Sequence, residues 1–98
     1  MIVISEFMDA AAVDRLRADF EVHHDATLVD DLQRLYAATK SAEALIVRNR
    51  TQVDAELLAN APRLRVVGRL GVGLDNIDTA ACAARAIEVI PANGANAI

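Results

Sequence analysis

The chain carries a single cysteine, Cys82, in 98 residues, which excludes a disulfide framework and a paired-cysteine metal site. Cys82 lies among alanines in a helical run, where a thiol serves as a small core residue. No stretch reaches the roughly 18 apolar residues of a membrane span. The N-terminal "MIVISEFMD" lacks the basic region and long apolar run of a secretion leader, so a soluble, cytoplasmic protein is expected. Positive charge is not in excess. Ten Lys and Arg against fourteen Asp and Glu give a net charge of −4, which argues against a nucleic-acid surface. Repeats, low-complexity tracts and an internal linker are also missing.

What is present is apolar: 54% of the residues, in a length that suits one domain with a substantial core. Charge is uneven along that length. Residues 1–47 carry nine acids and four bases, residues 48–98 five acids and six bases. Arg48, Arg50, Arg63, Arg65 and Arg69 fall within one 22-residue window, where an anionic ligand is to be sought.

Short apolar runs alternate with helical spacing. Ile2–Ile4 reads as a strand, and Asp9 caps a helix carrying Ala12, Val13, Leu16 and Phe20. A weak strand at Val22 follows, then a helix over 30–38. "ALIV" at 44–47 is a buried-type strand, and a helix over 53–61 is halted by Pro62. "LRVVGRL" is the fourth strand, 76–84 the fourth helix, and "IEVI" at 87–90 the fifth strand. This alternation predicts an α/β domain, a five-stranded parallel sheet with helices on both faces. The expected strand order is the flavodoxin-like 2-1-3-4-5.

The stretch "VVGRLGVGLDN" holds the chemistry. A dinucleotide fingerprint needs G-x-G-x-x-G after the first strand of its unit and an acid about 20 residues on. Gly71 and Gly73 fit, but Asn76 stands at the third position, the loop follows a fourth strand, and no acid ends the fifth. A small anion fits better, the alternative being a plain structural turn. Gly71 and Gly73 permit a tight turn with positive φ, Asp75 and Asp78 resemble a capping box, and the amides of Val72 and Gly73 are then available to a carboxylate beside a helix start. Arg48 and Asn49 follow the third strand, at the sheet end where α/β domains bind ligands. Arg48 offers a planar bidentate donor, the alternative for it being an ordinary surface ion pair, and Asn49 a neutral amide. His23 and His24 are adjacent on a weak strand, face opposite sides, and form no metal pair.

Residues 44–98, "ALIVRNRTQVDAELLANAPRLRVVGRLGVGLDNIDTAACAARAIEVIPANGAN" and its end, closely resemble the first domain of D-2-hydroxyacid dehydrogenases, especially the D-3-phosphoglycerate dehydrogenase branch. "GRLGVGLDNID" is the most specific match, and residues 1–43 follow the pattern only. The resemblance implies that residues 1–98 are the N-terminal portion of a substrate-binding domain. Arg48 and Asn49 match a stretch near the substrate, Gly71, Val72 and Gly73 the loop holding its carboxylate, and Asn96 the asparagine at the crossover into the nucleotide domain. Two departures stand out: Ala86 replaces a helix-ending glycine and Pro91 a common asparagine.

The family's NAD-binding glycine motif, catalytic arginine, carboxylate and general-acid histidine lie later in the chain than residue 98. No catalytic, cofactor-binding or metal residue is therefore expected here, and the NAD-binding Rossmann domain is expected to be absent from this chain. The implied activity is NAD-dependent hydride transfer at C2 of a small 2-hydroxy or 2-oxo acid, in a homodimer, without nucleic-acid or membrane partners. The 98 residues alone are expected to be inactive. The alternative is a stand-alone flavodoxin-like carboxylate-binding or regulatory module without catalysis.

Overall fold

The apolar strand segments find one another in a single sheet. The computed structural model describes residues 1–71 and 73–92. The elements run β1 (Ile2–Ile4), α1 (Ala10–Asp19), β2 (Val22–His24), α2 (Leu32–Thr39), β3 (Ala44–Val47), α3 (Ala55–Ala59), β4 (Val66–Leu70), α4 (Thr79–Ala84) and β5 (Glu88–Ala92). All strand pairs are parallel, in the order β2-β1-β3-β4-β5. This is the expected flavodoxin-like order. Right-handed crossovers then put α1 on one face and the later helices on the other.

Strand periodicity decides which residues are sealed. Leu45 and Val47 on β3 and Val67 on β4 are fully buried and join Val3, Leu35, Leu57, Leu58 and Cys82 in one core cluster. Their neighbours Ile46, Val66, Gly68 and Leu70 are only half-buried, so the second sheet face is less completely covered. Cys82 is a buried free thiol, and burial raises its pKa, as a core residue requires. Pro91 lies on the edge strand β5, a place where a missing N–H is tolerated.

Each of the four described α-helices begins on an aspartate. Asp9, Asp31, Asp54 and Asp78 accept hydrogen bonds from the backbone N–H of Ala11, Arg34, Leu57 and Ala81. Their boundaries differ from the expected ones where tertiary contacts intervene. The helix expected over 30–38 starts later, after a 3-10 turn at Leu28–Asp30. The helices expected from 53 and 76 start at Ala55 and Thr79 because Val53 and Ile77 pair as an isolated parallel bridge. Val53 N–H donates to the Asn76 carbonyl and Asp78 N–H to the Val53 carbonyl, both at 2.8 Å, which holds these segments extended. Phe20 falls outside α1 as its extended C-cap and is 57% exposed.

The end of α4 carries strain. Ile87 N–H bonds to the Cys82 carbonyl and Ala86 N–H to the Ala83 carbonyl, a Schellman arrangement with Ala86 at φ 57°. A Cβ in the left-handed region costs about 1–2 kcal/mol. Ala86→Gly removes that cost and adds some unfolded-state entropy, for a net gain in stability of about 0.5–1 kcal/mol. Urea unfolding of the variant measures this, and an unchanged or lower midpoint would show that the turn carries no such strain.

Candidate functional site

The strand order reverses direction between β1 and β3, and α/β sheets place ligand crevices at the carboxyl ends flanking such a switch point. Here the chain fills that crevice itself. Glu6, which follows β1, is 4% exposed. Its Oε2 accepts from the backbone N–H of Arg48 at 2.8 Å and of Thr51 at 3.0 Å, and its Oε1 from that of Arg50 at 3.1 Å. Burial pushes the Glu6 pKa up, but the bonds from Thr51, Arg48 and Arg50 outweigh it and hold the carboxyl below its ordinary value. Ser5 and Thr51 hydroxyls add a buried hydrogen bond of 2.8 Å across the same junction.

The loop after β3 is held from its other side by Asn76. The Asn76 Nδ2 donates to the carbonyls of Arg48 and Thr51, both at 2.8 Å. Its Oδ1 accepts from Arg69 Nε at 3.1 Å. Arg69, at the end of β4, is 7% exposed and also donates to the Leu70 carbonyl. The turn that follows has Gly71 at φ 108° and Gly73 at φ 85°. A Cβ on Gly71 would stand 2.8 Å from Arg69 Nη1, so this glycine makes room for the guanidinium. A Cβ on Gly73 would meet nothing within 4 Å: the backbone there opens outward.

Asn49, Gln52, Arg69, Asp75 and Asn76 together line a cleft of about 270 Å³ at this end of the sheet. The β3–α3 loop therefore presents Asn49 to the cleft. Arg48 is exposed and turned to the flank, its guanidinium carbon 5.9 Å from the ring centroid of Phe7. Arg50 pairs with Asp30 on the surface. The basic window is thus divided. Arg48, Arg50 and Arg69 lie at the carboxyl ends, whereas Arg65 precedes β4, and Arg63 and Arg65 help the N-terminal ammonium hold the Glu43 carboxyl low. A second cavity, about 550 Å³, opens at that opposite edge between Ile2, Phe20, Ala44 and Val66. It is mainly apolar and remote from the polar convergence around Asn76.

The expected helix start beside the glycines is corrected. α4 begins at Thr79 and its Ala81 amide is capped by the chain's own Asp78, so the glycine turn has no helix terminus beside it. Val72 and Asn96 lie outside the described residues. His23 is exposed, while His24 Nε2 makes a 3.1 Å hydrogen bond with the Glu6 carbonyl, and no group of three or more metal-type side chains occurs among the described residues. Sequence reasoning missed Glu6 and Asn76. The one local sign of Glu6 was a carboxylate directly after an apolar strand, which by itself looks like an ordinary loop acid.

A dinucleotide does not fit these residues. Where its loop needs a third glycine, the Asn76 side chain is buried and committed to two carbonyls. A small anion is compatible with the outward-facing backbone at Gly73.

The sequence profile of the D-isomer specific 2-hydroxyacid dehydrogenase catalytic domain matches residues 2–98. The chain belongs to this family. It is 60% identical over 97 residues to (S)-sulfolactate dehydrogenase of Chromohalobacter salexigens, a match covering 99% of this chain and 31% of the relative. A solved structure from Pyrococcus horikoshii OT3 superposes with a TM-score of 0.86 at 26% identity, over 96% of this chain and 28% of that one. The NAD⁺-bound 3-phosphoglycerate dehydrogenase of Entamoeba histolytica gives a TM-score of 0.79 at 27% identity, over 92% and 32%. The chain thus spans about a third of the length of these proteins. No helix among the described residues of this 2-hydroxyacid dehydrogenase domain is long and apolar enough to cross a membrane.

Proposed function

We propose that residues 1–98 are the substrate-binding portion of an NAD-dependent D-2-hydroxyacid dehydrogenase and hold the substrate carboxylate for hydride transfer at C2. The observation that carries this reading is the cleft lined by Asn49 and Arg69 at the carboxyl ends of neighbouring strands, with the positive-φ glycines Gly71 and Gly73 directly after β4. The carboxylate would sit against the turn backbone and the Asn49 amide, with Arg69 lending its charge while its Nε stays on Asn76. Arg48 flanks the cleft and, with Val72 and Asn96, completes the proposed substrate contacts. The domain's contribution is positioning, which converts encounter into an oriented complex. NAD is the proposed cofactor of the whole enzyme, a homodimer, and is held by a nucleotide domain other than these residues.

The relative named for (S)-sulfolactate is 60% identical, which makes that acid the first substrate to test. The whole enzyme is expected to reduce NAD with (S)-sulfolactate or 3-phosphoglycerate, and residues 1–98 alone to show no turnover. Arg48→Lys keeps the charge but loses the planar fork. It should raise KM by about fivefold, the loss of one of two charged hydrogen bonds at about 1 kcal/mol. A native KM in steady-state assays would return Arg48 to an ordinary surface role. Turnover by residues 1–98 would overturn the division of labour.

A further inference from the structure

We propose that Glu6 is a positioning residue for the substrate cleft: a resident carboxylate that sets the β3–α3 loop so that Asn49 faces the ligand. This rests on the reading of the cleft given above and adds a residue to it. Glu6 lies on β1's side of the switch point and touches none of the cleft-lining groups through its own carboxylate. It acts through the loop. Of the loop amides it takes those of Arg48, Arg50 and Thr51; Asn49, between the first two, and Gln52, directly after the third, are the loop residues that line the cleft.

The next residue works on the same target. Phe7 is 65% exposed, and its ring carries the Arg48 guanidinium at 5.9 Å, within the range of a cation–π contact. Glu6 thus holds the backbone of Arg48 while Phe7 holds its side chain. Asn76 grips the opposite side of the same loop by the carbonyls of Arg48 and Thr51. The loop is clamped between two polar side chains that come from 42 residues upstream and 28 residues downstream of Arg48. Because the anion-binding amides at the switch point are already occupied by a protein carboxylate, a substrate carboxylate is directed one strand along, to the cleft between β3 and β4.

Glu6→Gln discriminates this role from plain stability. A glutamine oxygen in place of Oε2 still serves the Arg48 and Thr51 amides, but its NH₂ then confronts the Arg50 N–H, donor against donor. The loop stays attached but is released at its centre. In the whole enzyme with (S)-sulfolactate and NAD, this variant should raise KM for the acid about tenfold, with a much smaller effect on KM for NAD. Phe7→Ala should raise KM for the acid two- to fivefold, and should add nothing to Arg48→Ala, because Phe7 acts through Arg48. A folded Glu6→Gln enzyme with KM for the acid within twofold of wild type overturns the proposal, as does an equal rise in both KM values. If Glu6→Gln does not fold, Glu6→Asp decides, since it keeps the charge but is one methylene short of the three amides: a KM for the acid within twofold of wild type, or an equal rise in both KM values, overturns the positioning role. Gly73→Val separates the two levels. Where it raises KM and Glu6→Gln does not, the Glu6 proposal alone fails; where neither does, the reading of the cleft fails.

Discussion

Replacing Asn76 with alanine is expected to lower the free energy of unfolding by about 3 kcal/mol, a large share of a small domain's total stability. Asn76 is 6% exposed and serves three partners at once: the carbonyls of Arg48 and Thr51 through Nδ2 and Arg69 Nε through Oδ1. Truncation leaves two carbonyls and a guanidinium N–H short of a partner in a buried place, and an orphaned buried polar group costs about 1–3 kcal/mol. Asn76→Asp separates the contributions. It keeps an oxygen for Arg69 and removes both donors to the loop, so most of the loss, about 2 kcal/mol, should remain. Urea unfolding of each variant measures this. If Asn76→Ala unfolds at the wild-type midpoint, the β3–α3 loop is not clamped from this side.

Gly73→Val should lower kcat/KM of the whole enzyme by about 10- to 150-fold, the loss of one charge-assisted hydrogen bond of roughly 1.5–3 kcal/mol. Gly73 has φ 85°, and a Cβ there would meet no atom within 4 Å. A Cβ at this position therefore clashes with nothing among the described residues. Its cost to folding is the left-handed backbone, about 1–2 kcal/mol. The larger effect falls on whatever must approach the turn, since a branched side chain stands in the space a carboxylate would use. Gly71 is the internal contrast, because its missing Cβ makes room for Arg69 at 2.8 Å and not for a ligand. A Gly73→Val enzyme with native kcat/KM would remove the turn from the substrate site.

The parts of this protein that a linear reading reached are those with short-range causes. Alternating apolar runs and helical spacing placed all five strands, and the parallel order followed from strand–helix alternation. Gly71 and Gly73 do adopt positive φ, and Ala86, where the resemblance led to an expected glycine, sits at φ 57°. Helix starts were less legible. The sequence offers two aspartates near the starts of α2 and α4, and the choice of Asp78 over Asp75 depends on Val53 pairing with Ile77, 24 residues away.

The amino-acid sequence by itself determined the sheet, its order, the family and the glycine turn, because periodicity and backbone permissiveness act over a few residues and need no partner. Tertiary structure alone decided how the site is assembled. It divided the five arginines of one window between opposite ends of the sheet, since the four residue steps from Arg65 to Arg69 run along β4 for about 13 Å. It turned Arg48 toward Phe7 and Asn49 toward the cleft. It also made Glu6 an internal anion and Asn76 a clamp. Both roles need donors or acceptors from a distant loop, and a carboxylate or amide has no such role until folding brings that loop within 3 Å and excludes water from the junction.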